Sequence, residues 1–182
     1  METVTRLDAA RRQLHTAIGL WLVDGDTVSV HTLAFAAFGI VSDLNRINKG
    51  PPLLLEATGI KPEKRDEFVY LLKRDANFFK HADGRVKRKK QQTPNATDAI
   101  EFTSELNELL MATAVKALIH LKQDISDKEK LFQLWYAIHR PDLHSDAWID
   151  LLQNSSHVHV ESLRLLKKQE FFDRVSQAIR RP

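Results

Sequence analysis

Apolar residues recur along this chain in steps of three and four, and no segment shows the sustained alternation beside turn signals that marks a half-buried strand. Leu7, Leu14, Ile18 and Trp21 mark a first helix over residues 5–23. Asp24-Gly25-Asp26 breaks it, with Asp26 placed to cap the next helix. From 27 to 45, Val28, Val30, Leu33, Phe35, Phe38, Ile40, Val41 and Leu44 leave almost no polar face. A helix of that kind has to be surrounded, so the pattern puts it at the centre of the domain. Asn48-Lys49-Gly50-Pro51-Pro52 ends it, and a short helical or extended piece over 53–57 follows.

A third helix starts near Pro62, where a first turn tolerates proline, and runs to 81. A polar, basic loop covers 83–95. A fourth, long helix over 97–121 carries Phe102, Leu106, Leu110, Ala117 and Leu121 on one face. Ser126-Asp127-Lys128-Glu129 has the spacing of a capping box and opens a fifth helix that stops before Pro141. A shorter helix over 145–153 holds Trp148, and a last one covers 156–180. There are no internal repeats. The expectation is an all-α fold: a single domain over residues 1–182, built as a bundle of six or seven helices around the buried second one.

Composition narrows the function classes. With 182 residues the chain is long enough for a core, and 43% apolar and 28% charged residues are ordinary for a globular protein. It has no cysteine, which excludes disulfide scaffolds, cysteine zinc sites and thiol nucleophiles. Residues 1–12 mix acids and bases without the apolar stretch of a signal peptide. The longest apolar run, 33–41, falls short of the roughly 20 residues a bilayer needs. A cytoplasmic location without membrane contact is therefore expected. The net charge is only +3, but residues 61–90 hold eleven Lys and Arg against five Asp and Glu. A chain with its charge segregated in this way can draw a polyanion to one face without being basic overall.

The chemistry-bearing stretch is Lys73-Arg74-Asp75-Ala76-Asn77-Phe78-Phe79-Lys80-His81-Ala82-Asp83. On a helical wheel Phe68, Leu71, Leu72, Phe79 and Ala82 form a core face. Tyr70, Arg74, Asn77 and His81 lie opposite, with Phe78 at the edge. This line is either the wet face of the helix or a surface that holds RNA or another subunit. An imidazole can take a proton from a 2′-hydroxyl or give one to a leaving oxygen, and a guanidinium can hold the phosphate, so no metal is required. Arg85, Lys87, Arg88, Lys89 and Lys90 follow directly, as a solvated loop or as sequence-independent phosphate contacts.

Arg74-Asp75, with His81 after six intervening residues, resembles the motif of the HEPN ribonucleases: an arginine, commonly a polar residue next, then a histidine after a short gap. That resemblance implies an all-α, usually dimeric domain in which Arg74 and His81 are catalytic and face a second subunit. Two phrases, Asp24-Gly25-Asp26…His31-Thr32-Leu33 and 77–83, also resemble those of a bacterial family of small all-α proteins that are functionally uncharacterised. The rival reading is a non-catalytic helical module whose outer stripes dock a partner protein.

Other groups have plainer readings. His31, on one face with Phe35, Phe38 and Ser42, is expected to be a core histidine bonded to a backbone carbonyl or a carboxylate, with a ligand pocket as the alternative. Asp98, Glu101, Glu105 and Glu108 form an acidic stripe on the fourth helix, solvated or docked against the basic region. His139 with His144, and His157 with His159, lack a third ligand, so no metal is expected. Gly-x-Gly-x-x-Gly, P-loop and Gly-x-Ser-x-Gly patterns are absent, and no cofactor is expected.

Overall fold

The computed structural model describes residues 1–53, 63, 65–80, 99–140 and 160–180. Among them every regular element is a helix: α1 (Arg6–Leu22), α2 (Thr27–Ile47), α3 (Arg65–Lys80), α4 (Glu105–His120), α5 (Asp127–His139), α6 (Val160–Arg164) and α7 (Lys168–Arg180). The fold is an all-α bundle. The predicted segments 54–57, 83–95 and 145–153 lie outside the described residues, as does the Pro62 start of the third helix.

The caps at Asp26 and Ser126 form as the sequence predicts, and the structure adds one at Thr5. Thr5 and Asp8 make a reciprocal capping box on α1, Asp26 accepts from the Ser29 amide, and Ser126 and Glu129 close a second box on α5. The C-termini of α1, α2 and α4 share one device, the Schellman pairing. The Gly25, Gly50 and Gln123 amides reach back to the Leu20, Asn45 and Leu118 carbonyls. Asp24, Lys49 and Lys122 take the left-handed position, with φ of 51°, 54° and 55°. At Gly50 the requirement is space: a Cβ there would collide with the buried Asn45 amide, which donates to the Pro51 carbonyl at 2.9 Å.

Residues 23–26 fold α2 back along α1, the most extensively packed pair, and α4 packs on the other side of α2. Leu14, Ala17, Ile18, Val30, Ala34, Ala37, Val41, Leu110, Met111, Ala114 and Leu118 form the shared interior. The helix expected to be enclosed is therefore the hub, contacting α1, α4 and α3. It is not covered evenly: Leu33, Phe35, Phe38 and Ile40 are half-buried and Val28 is exposed. By length and composition α2 also meets the criterion for a bilayer-crossing helix. Here it lies against three other helices and buries His31 and Asn45.

Trp21 gathers the opposite side. Its ring meets Phe132 at 5.0 Å and Trp135 at 4.7 Å edge-on, with Phe172 at 6.1 Å. Its indole N–H donates to the Glu108 carboxylate at 3.0 Å. The Lys168 ammonium lies over the ring at 4.6 Å and pairs with Asp24 at 2.6 Å, which ties the start of α7 to the end of α1.

Two expected boundaries and one expected face change. The fourth helix begins at Glu105 rather than 97, because residues 99–103 are non-helical and carry Phe102 across to α2 and α3. The last helix is two, α6 and α7, separated at 165–167, where Leu165 is exposed and the Lys167 carbonyl receives the Phe171 amide. On α3 the buried line is Leu72, Asp75 and Ala76 with Phe79 beside it. Leu71, expected in the core, is exposed, and the side chain of Phe68 lies outside the described set. The face turns by less than half of the roughly 100° between successive residues, with a carboxylate rather than a leucine on the inside.

Trp21→Ala removes contacts to three rings and orphans the Glu108 carboxylate. It should lower stability by about 3–5 kcal/mol in denaturant unfolding. A loss under about 1 kcal/mol would show that this knot is not structural.

Candidate functional site

His31 is fully buried on the first turns of α2. Its Nδ1 lies 2.8 Å from Oδ1 of Asn107 on α4, and Nδ2 of Asn107 donates to the Thr27 carbonyl at 3.1 Å. With its amide nitrogen occupied as donor, Asn107 offers the oxygen as acceptor, so the hydrogen on neutral His31 sits on Nδ1. Nε2 is left as a bare acceptor, buried and without a hydrogen-bond partner. Three rings close around it: Phe35 stacked at 6.2 Å, Phe79 edge-on at 5.8 Å and Phe102 edge-on at 5.3 Å. The expected structural histidine is present, but its partner is a side-chain amide rather than a carbonyl of the backbone or a carboxylate.

Asp75 lies one turn before Phe79 on the same face of α3, 1% exposed. Its Oδ1 accepts from Nε of Arg74 at 2.6 Å. The Nη2 of Arg74 reaches the Glu101 carbonyl at 3.3 Å. The guanidinium thus pins residues 99–103 to α3 along its inner edge while the side chain stays 37% exposed. The hydrogen bond to Asp75 is the main influence holding Arg74 in its charged form.

The other residues singled out in the sequence are dispersed. Asn77, Tyr70 and Phe78 are exposed on the outer side of α3. His81 and the basic run Arg85, Lys87, Arg88, Lys89 and Lys90 lie outside the described residues, as do Asp98, His144, His157 and His159. The described members of the acidic stripe do not share one helix face. Glu101 precedes α4, Glu105 is exposed in its first turn, and Glu108 turns inward to Trp21. The His139 ring stacks on Trp135 at 4.2 Å, and its Nδ1 meets the Trp135 carbonyl. Among the described residues no group of three His, Asp or Glu converges in a metal-binding arrangement.

Two residues of this site, Asp75 and Asn107, went unread as buried groups. Each stands alone as a polar residue within an apolar line: Asp75 between Leu72, Ala76 and Phe79, and Asn107 ahead of Leu110 and Met111. That isolation was the available signal, since a polar side chain on an inward face must have a partner there. In chemical terms the site pairs a sealed neutral base with an anchored surface cation. Only the cation is open to a ligand.

No family model, curated protein or solved structure matches the chain.

Burial holds the His31 pKa below its ordinary 6.5. The Asn107 hydrogen bond and the Asp75 carboxylate oppose this, and Lys80 acts with the burial. Burial, with Lys116, moves His120 the same way. A histidine depressed in the fold is protonated first in the unfolded chain, so its contribution is complete above about pH 6.5 and is lost as pH falls below that. The urea midpoint should therefore drop as pH goes from 7.5 to 5.5. His31→Gln should flatten part of that drop and His120→Gln a separate part, whereas an unaltered slope in both variants would remove these histidines as its source. At pH 7.5 His31→Ala should cost ~1–3 kcal/mol through lost packing and the orphaned Asn107 oxygen.

Proposed function

We propose that the outer face of α3 binds single-stranded RNA and that a pair of such faces, brought together in a homodimer, cuts it without a metal. The observation that carries this reading is Arg74: anchored from within on a buried carboxylate, yet open enough on its outer edge to take a phosphate. Exposed Tyr70 and Phe78 flank it on the same helix, and aromatic faces beside a guanidinium suit unstacked bases. Asn77 adds an amide that can read a base edge. The basic run from Arg85 to Lys90 supplies further phosphate contacts of no sequence preference.

The chemistry is a transesterification. His81 takes the proton of a 2′-hydroxyl, the 2′-oxygen attacks the adjacent phosphorus, and the P–O5′ bond breaks with the proton delivered to the leaving oxygen. A 2′,3′-cyclic phosphate and a 5′-hydroxyl result. Arg74 and His81 are seven residues apart in the sequence, a span of roughly 10 Å if taken at helical rise, so a second copy of the face would complete the set around one phosphate. The resemblance of Arg74-Asp75…His81 to the HEPN motif supports the same roles.

A second reading rests on Leu71, an aliphatic residue exposed on α3 with nothing to offer RNA. It favours a non-catalytic module that docks a protein through this face.

A labelled single-stranded RNA should bind at low salt, with affinity falling steeply as salt rises and Arg74→Ala reducing the salt slope by about one phosphate. Cleavage should persist in EDTA and disappear in His81→Ala while the fold is retained. RNA that is neither bound nor cut, together with self-association that Leu71→Asp abolishes, would transfer the face to the second reading.

A further inference from the structure

The arginine that the RNA reading depends on does not orient itself. It sits on a helix surface with four rotatable side-chain bonds, and an unrestrained arginine there would spend most of its time elsewhere. Asp75, the next residue, points the opposite way, into the bundle, with almost no solvent contact. Burying a carboxylate is costly unless it is paired, so its bond to Nε of Arg74 is held by the full penalty of leaving it unmade. Of the five guanidinium hydrogens, the one on Nε goes to Asp75 and one on Nη2 to the Glu101 carbonyl. Of the three that remain, two lie on the Nη1–Nη2 edge, an edge whose spacing matches two oxygens of a phosphate. Among the described residues the bundle thus engages Nε and Nη2 of the fork and leaves the side chain 37% exposed.

We infer that Asp75 is the positioning residue of the α3 face, fixing the Arg74 fork for one phosphate of a single-stranded RNA. The inference rests on the RNA reading and adds to it a residue that never touches the ligand. It also makes a prediction that runs against simple charge counting. Replacing Asp75 by Asn removes a negative charge beside a polyanion site, which by itself tightens RNA binding. Loss of positioning weakens it.

The test is the anisotropy of a labelled oligouridine titrated with the full chain over a series of salt concentrations. Wild type is compared with Arg74→Ala, Arg74→Lys, Asp75→Asn and the double variant Arg74→Ala/Asp75→Asn, with thermal unfolding recorded for each. Asp75→Asn should weaken binding about tenfold, as much as Arg74→Ala, and the double variant should be no weaker than either. Arg74→Ala and Asp75→Asn should each lower the salt slope by about one phosphate. Arg74→Lys keeps the charge but has no Nε edge to anchor, so it should bind as weakly as Arg74→Ala. That outcome stays decisive if Asp75→Asn does not fold. Unchanged or tighter binding by Asp75→Asn, or wild-type affinity in Arg74→Lys, overturns the positioning role while the RNA reading stands. A wild type that binds no oligouridine at low salt removes the RNA reading and this role together.

Discussion

A bond between two buried neutral side chains, His31 and Asn107, sets the arrangement of everything around the α3 face. Once an imidazole N–H and an amide oxygen leave water together they have to meet, because each would otherwise lose its hydrogen bond without replacement. That requirement fixes where α2 lies along α4, since Asn107 is committed on its other side to the Thr27 carbonyl. The consequences run outward in order. The fixed imidazole gives Phe35, Phe79 and Phe102 a surface to pack on. Phe79 brings α3 in, Asp75 enters with it, and Arg74 is held outside by the carboxylate one position further along the chain.

Asn107 and Glu108 are consecutive on α4 and face different helices. Asn107 meets His31 on α2, and Glu108 meets Trp21 on α1. One turn of α4 therefore grips both arms of the α1–α2 hairpin through polar contacts, while the turns that follow add Leu110, Met111, Ala114 and Leu118 to the apolar interior. The apolar contacts are interchangeable in kind and supply most of the burial. The two polar ones are specific, and they select one alignment of the three helices from the several that would bury a similar area.

The starts of α1, α2 and α5 were legible because their signals are local. Asp26 and Ser126 cap the residues immediately after them, and the period of apolar positions marks α1, α2 and α5. What was not legible depends on partners distant in sequence. Phe102 reads as the first apolar residue of a helix but is drawn out of it by rings on α2 and α3. Glu108 reads as solvated because nothing nearby in the chain reveals the indole of Trp21. The α3 wheel put Leu71 inside by hydropathy, whereas the interior takes Asp75, which is tolerable only because Arg74 neutralises it. Of the site itself the sequence supplied Arg74 as the open cation and the burial of His31, but not Asp75 and Asn107, the two polar residues that hold them in place.

The three helix ends that turn through a left-handed residue differ in what they give back. Left-handed backbone costs an L-residue about 1–2 kcal/mol, against which a glycine would lose roughly 0.5–1 kcal/mol through its freer unfolded chain. At Asp24 the expense has a return, because that backbone geometry aims the carboxylate at Lys168 and draws α7 onto α1. At Lys49 and Lys122 no such closure accompanies the turn among the described residues. Those two positions are an untapped margin of thermal robustness, open to drift toward glycine. Asp24 is a hinge point where the same exchange would loosen the last helix from the first.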